Sequence, residues 1–135
     1  QLPFSIYDRR LLDTGFLEFI NSKGIEIYAR SIFLQGLILN NCSKWPNWVR
    51  NSDKKKHEEF LKFIKDKNIS PLESALSFVK NTSFINKIII GISTLKEMDQ
   101  ILKTVKHIES QNYKFIKCNK NFSNEILDPR KWKKN

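Results

Sequence analysis

Apolar residues recur along this chain in two different periods, and the alternation between them predicts the architecture. Leu2 to Ile6 is a short apolar run of strand character that ends at Tyr7-Asp8-Arg9-Arg10. Leu12, Phe16, Phe19 and Ile20 follow at helical spacing, and Lys23-Gly24 closes that helix as a last-turn cation followed by a left-handed stop. Ile25 to Ala29 reads as a second strand. Strand, helix and strand within about thirty residues make a parallel crossover unit, right-handed by the usual rule.

From Leu37 to Asp53 the pattern turns irregular, with Asn40-Asn41, Trp45-Pro46-Asn47-Trp48 and Asn51-Ser52-Asp53. This stretch is a long loop or a broken helix whose aromatics cover something. Glu58 to Lys65 is helical, with Phe60, Leu61 and Ile64 on one face. Ser70-Pro71-Leu72-Glu73 is a strong helix start, with an N-cap serine, a first-position proline and a glutamate placed to close a capping box. Leu72, Ala75, Leu76 and Val79 give that helix its core face.

The unbroken run Ile88 to Ile90 predicts a parallel strand covered on both sides. Thr94 and Glu97 form a second capping-box pattern, and Leu95, Met98, Leu102 and Val105 carry a helix to about Glu109. The remainder, to Trp132, is polar apart from a patch between Phe122 and Leu127. The order is strand, helix, strand, loop, two helices, strand, helix and tail, which indicates an α/β parallel sheet. Three strands cannot close on themselves, so the predicted sheet is part of a larger one.

Composition sharpens this picture in three ways. With 135 residues, 40% of them hydrophobic, and ten Phe and three Trp, the chain is one domain's worth of core-forming sequence. No run approaches the roughly 18 to 20 apolar residues that cross a bilayer, and the start lacks the pattern of a secretory signal, so a cytoplasmic location is expected. Cys42 and Cys118, far apart and outside any CxxC spacing, are expected to be free thiols. Gln1-Leu2-Pro3-Phe4 begins abruptly in strand-like sequence without an initiating Met, as a segment of a longer protein would.

The net charge of +10 raises a nucleic-acid reading. The bases are spread along the chain and sit beside acids, as in Lys54-Lys55-Lys56-His57-Glu58-Glu59, where a solvated helix face is the ordinary explanation. Only the tail, Arg130-Lys131-Trp132-Lys133-Lys134, concentrates base without acid.

In parallel α/β folds ligands sit past the carboxyl ends of the strands, so three junctions carry the chemistry: Tyr7 to Arg10, Arg30 to Gly36, and Gly91 to Thr94. The third has the physics of an anion site, with glycine for close approach, two hydroxyls and the unpaired N–H groups of a new helix. Ser93 and Thr94 acting only as caps explains the same residues. His57 and His107 read as surface histidines, Asp8 as the ion-pair partner of Arg9 and Arg10, and Asp13 as solvent-facing. No catalytic triad, carboxylate pair or metal-ligand set is visible.

Five stretches in order, "QLPFSIYDRR", "GIEIYARSIFLQGLIL", "SPLESALSFVKN", "KIIIGISTLKEMDQIL" and "LDPRKW", resemble the carboxyl-terminal half of aldo/keto reductases. The resemblance implies a (β/α)₈ TIM barrel of which residues 1–135 would supply strands six to eight with their helices. Such barrels take about 250 residues, so the amino-terminal half lies outside this chain. It implies an oxidoreductase that reduces a carbonyl substrate by hydride transfer from NADPH or NADH. The family's Asp, Tyr, Lys and His set for proton transfer belongs to earlier strands, so no catalytic residue carries over. The cofactor-binding positions do: Gln1 for the nicotinamide carboxamide; Arg30 where an aromatic often stacks on the nicotinamide; Ser31, Phe33, Gln35 and Gly36 along the pyrophosphate; Gly91, Ser93, Thr94 and Glu97 around the adenosine and its ribose.

Glu97 stands where the family commonly has Gln or Arg, and Ile101 where Asn is usual, which leaves the choice between NADP and NAD open. The "ARSIFLQG" form and the "DPRKW" ending are most similar to members associated with bacterial surface-polysaccharide pathways. The resemblance implies a small-molecule partner, with no nucleic acid and no membrane, and an isolated chain that, with its faces uncovered, is inactive and either aggregated, self-associated or only partly folded. Two other readings stand beside it: a degenerate barrel serving as a non-catalytic binding or assembly protein, and a small basic nucleic-acid-binding domain.

Overall fold

A computed structural model describes residues 1–110, 118 and 120–132. Three short parallel strands, β1 (Leu2–Pro3), β2 (Tyr28–Arg30) and β3 (Lys87–Ile88), form a sheet in the order β1-β2-β3. Leu2 and Pro3 face Ala29 and Arg30, while Tyr28 and Ala29 face Lys87 and Ile88. The strands are shorter than the apolar runs predict because side chains and single bonds take over at their ends. Asn86 Oδ1 accepts from Ile27 N at 2.8 Å, Phe4 N donates to Arg30 O, and Ile89 N donates to Ala29 O.

Between β1 and β2 the predicted single helix is two, α1 (Arg10–Asp13) and α2 (Phe16–Ser22). Gly15 divides them at φ +73°, a left-handed turn that a side chain adopts only with strain. The turn redirects the apolar stripe: Leu17 is fully buried, while Phe16 and Phe19 are exposed and stack on each other. The predicted stop at Lys23-Gly24 is present, with Gly24 at φ +70° and its N–H donating to Asn21 O.

The segment predicted as a loop from Leu37 to Asp53 holds two single-turn 3₁₀ elements, Leu37–Leu39 and Cys42–Lys44, and then helix α3 (Asn51–Lys65), which begins seven residues before the predicted Glu58. Asp53, Lys54, Lys55 and Lys56 hide that start from a periodicity argument, because their charges mask a face that carries Asp53, His57, Phe60 and Ile64 inward. Helix α4 (Pro71–Lys80) has the predicted capping box complete: Glu73 N donates to Ser70 Oγ and Ser70 N donates to a Glu73 carboxylate oxygen. Burial extends beyond the predicted face to Ser74, Ser77 and Phe78. The two serines are accommodated because their hydroxyls donate back to Pro71 O and Ser74 O.

Helix α5 (Leu95–Ser110) follows β3. The first three residues of its predicted stripe face outward, with Leu95 83% exposed and Met98 and Leu102 about half exposed. Val105, the last residue of that stripe, packs inward together with Ile101 and Ile108. Ile89 is also exposed, so the third strand is not covered on both sides among the described residues. A short helix, α6 (Asn124–Leu127), and a 3₁₀ turn at Pro129–Lys131 return the tail to α3. Phe122, Ile126 and Leu127 join the core there, and Asp53 accepts from Ser123 N and from Ser123 Oγ at 2.6 Å. Lys133 and Lys134 lie outside the described residues.

His57 is the largest departure from expectation. It is fully buried, stacked on Trp45 at 4.4 Å and bonded to Tyr7 Oη and Asn40 O, so it is a core residue. No helix among the described residues is long and apolar enough to cross a membrane.

Candidate functional site

A cavity of about 760 Å³ opens past the carboxyl ends of β2 and β3. Its walls come from three places: the loop after β2, the loop after β3 with the first turns of α5, and the start of α4. That is the size of a small-molecule or cofactor site, and it lies where a parallel sheet presents its loops.

The loop after β2 has an unusual backbone. Ser31, Leu34 and Gln35 all have positive φ, at 59°, 45° and 51°, and Gly36 follows at 86°. Non-glycine residues in this region are held only by surrounding structure, at a cost of about 1 to 3 kcal/mol each, and they concentrate at ligand sites. Here the holding is visible. Leu34 is buried, Ile38 N and Gly36 N both donate to Phe33 O, and Asn40 Nδ2 donates to Gly36 O at 2.8 Å. The tight coil turns Ser31, Phe33, Gln35 and Gly36 to the cavity while Arg30 Nη1 reaches Ser31 Oγ.

The loop after β3 is open. A Cβ on Gly91 would meet nothing within 4 Å, so backbone is accessible to a ligand there. Thr94 Oγ1 accepts from Glu97 N at 3.1 Å, and a Glu97 carboxylate oxygen accepts from Ser93 N at 2.8 Å. The expected capping pair is therefore present in altered form, with the carboxylate reaching one residue further back than in a capping box.

Of the ten residues assigned from sequence, the cavity gathers Arg30, Ser31, Phe33, Gln35, Gly36, Gly91, Ser93 and Glu97. Gln1 is exposed and does not line it, and Thr94 supports the wall through Glu97 without reaching the lining. Ser70 and Pro71 at the start of α4 line the cavity without having been assigned to it. Their sequence announces a helix start, and no local signal says which surface that start faces.

The aldo/keto reductase family model matches residues 1–120. The chain belongs to the aldo/keto reductase family. No curated protein gives a significant match. The family is built on the TIM barrel and generally uses NAD(P)H, and the parallel β1-β2-β3 sheet with its crossover helices agrees with part of such a barrel. As an aldo/keto reductase chain, its cavity sits at the face where barrel enzymes bind their ligands. Among the described residues no cluster of His, Cys, Asp or Glu is arranged to hold a metal ion.

Proposed function

We propose that residues 1–135 are the carboxyl-terminal, cofactor-binding half of an NAD(P)H-dependent carbonyl reductase, supplying barrel strands six to eight. One observation carries this reading: both strand-end loops that the family resemblance assigns to a dinucleotide line the same cavity. The residues fit such a ligand. Arg30 gives a cation, the Ser31 and Ser93 hydroxyls give donors, Phe33 and Ile101 give apolar surface, and Gly91 leaves backbone open to close approach.

The nicotinamide, when bound, supplies the hydride. By the same resemblance Arg30 would lie at the nicotinamide, Ser31, Phe33, Gln35 and Gly36 would hold the pyrophosphate side, and Gly91, Ser93 and Glu97 would hold the adenosine side. Proton donation to the carbonyl falls to the family's Asp, Tyr, Lys and His set in the preceding half. The uncovered stripe of α5 and the exposed Phe16 and Phe19 of α2 support a missing neighbour on each flank of the sheet. The subgroup linked to bacterial surface-polysaccharide synthesis is the assignment most similar in "ARSIFLQG" and "DPRKW".

The test is a fluorescence titration of the full-length gene product with NADH and NADPH, repeated with Ser93→Ala and Arg30→Ala. Weakened binding of both cofactors in either variant supports the site. Wild-type affinities retained in both variants would remove it.

A further inference from the structure

We propose that His57, which does not line the cavity, is a positioning residue for it: through Asn40 and Trp45 it holds the coil from Ser31 to Gly36 in the shape that presents its lining residues. What that coil does for a dinucleotide rests on the reading above; how it is held does not.

A coil with left-handed φ at Ser31, Leu34, Gln35 and Gly36 relaxes unless its surroundings hold it. Its own backbone bonds, Gly36 N and Ile38 N to Phe33 O and Leu37 N to Leu34 O, join neighbours a few residues apart. Two side chains further along add to them. Asn40 Nδ2 donates to Gly36 O at 2.8 Å, and Trp45 Nε1 donates to Leu37 O at 2.9 Å. Asn40 and Trp45 belong to the same long connection, however, so they fix the coil only if something outside that connection fixes them.

His57 on α3 touches both. Its ring stacks on Trp45 at 4.4 Å, and its Nε2 lies 2.8 Å from Asn40 O. Asn40 O can only accept, so Nε2 donates, and the Tyr7 hydroxyl from the end of β1 satisfies Nδ1 at 2.5 Å. The ring is fully buried, where a polar network with every member satisfied is stiff. One side chain thus supplies the stacking surface and the donor that anchor the two residues behind the coil, and neither Tyr7, Asn40 nor His57 reaches the lining.

The test is amide hydrogen exchange on the full-length gene product, comparing residues 34–40 with α5 in wild type, His57→Phe, His57→Gln and Asn40→Ala. The Phe variant keeps a ring for Trp45 and loses the donor, while the Gln variant keeps an N–H for Asn40 O. His57→Phe and Asn40→Ala are each expected to speed exchange over 34–40 by about tenfold relative to α5, and His57→Gln to recover most of that loss. NADH affinity, read by fluorescence titration, should fall by a similar factor in the first two variants and recover in the third. Asn40 is only half-buried, so Asn40→Ala carries the test if His57→Phe does not fold. Exchange that is unchanged in Asn40→Ala, or that rises equally in α5, overturns the positioning role, as does a loosened coil with undiminished NADH affinity. A wild type that binds neither NADH nor NADPH overturns the dinucleotide reading instead, and the exchange comparison then still decides whether His57 holds the coil.

Discussion

The Tyr7 hydroxyl lies 2.5 Å from His57 Nδ1, and His57 Nε2 lies 2.8 Å from Asn40 O, so one buried imidazole ties the end of β1 to α3 and to the loop after β2. The geometry selects a tautomer. Asn40 O can only accept, so Nε2 carries the proton, and Nδ1 accepts from the Tyr7 hydroxyl. A neutral ring satisfies both contacts. A protonated ring would direct a second N–H at the hydroxyl that now donates to it.

Burial accordingly lowers the His57 pKa below its usual value, outweighing the opposing pull of Asn40 O and Glu58. The unfolded chain takes up the proton more readily than the folded one, so stability is complete above about pH 6.5 and falls as the pH drops through and below that value. The urea midpoint should be lower at pH 5 than at pH 8, and His57→Gln should flatten that difference. A wild-type midpoint that does not change between the two pH values would contradict the neutral-imidazole assignment.

Asp53 makes a comparable tie to the tail. Its buried carboxylate accepts from Ser123 N and Ser123 Oγ, and Lys56 lies 3.4 Å away. Asp53→Ala strands two donors where α6 docks, and should destabilise by about 2 to 3 kcal/mol. Limited proteolysis checks the location of the damage: cleavage is expected to move to residues 120–132 before the rest of the chain is attacked.

At α4, Ser70→Ala removes the oxygen that accepts from Glu73 N. The expected loss is about 1 kcal/mol, read from chemical denaturation. Because Ser70 also lines the cavity, cofactor affinity should shift in the same variant, whereas the exposed Ser52 on α3 should show neither effect when changed to Ala.

Gly91 separates folding from binding. A Cβ there meets no atom within 4 Å, so Gly91→Leu should leave the thermal midpoint close to wild type. The side chain would instead project into ligand space and weaken NADH binding by about tenfold or more, equivalent to about 1.4 kcal/mol. A stable variant with undiminished NADH affinity would place the ligand elsewhere.

How much of this was legible in the sequence follows from how local each signal is. The capping box at Ser70 and Glu73, the stop at Gly24 and the parallel crossovers were readable because each depends on residues a few positions apart. The same holds for the strand-end loops: Arg30 to Gly36 and Gly91 to Glu97 follow apolar runs, so their sequence positions alone marked them as candidates. The chemistry of Thr94 and Glu97 was also written locally, and the structure changes only which amide the carboxylate reaches.

Tertiary structure decided what depends on distant partners. A histidine flanked by lysines and glutamates reads as solvated, and only the approach of Tyr7, fifty residues away, together with Trp45, supplies the donor and the stacking surface that make its burial tolerable. The outward turn of Leu95, Met98 and Leu102 is likewise invisible to periodicity, which gives a helix an apolar stripe but not the direction that stripe faces. The sequence alone thus determined the elements, their order and the residues at their ends. Packing determined that two of those ends share one cavity with the start of α4, because only the parallel sheet's geometry brings loops some sixty residues apart to the same side.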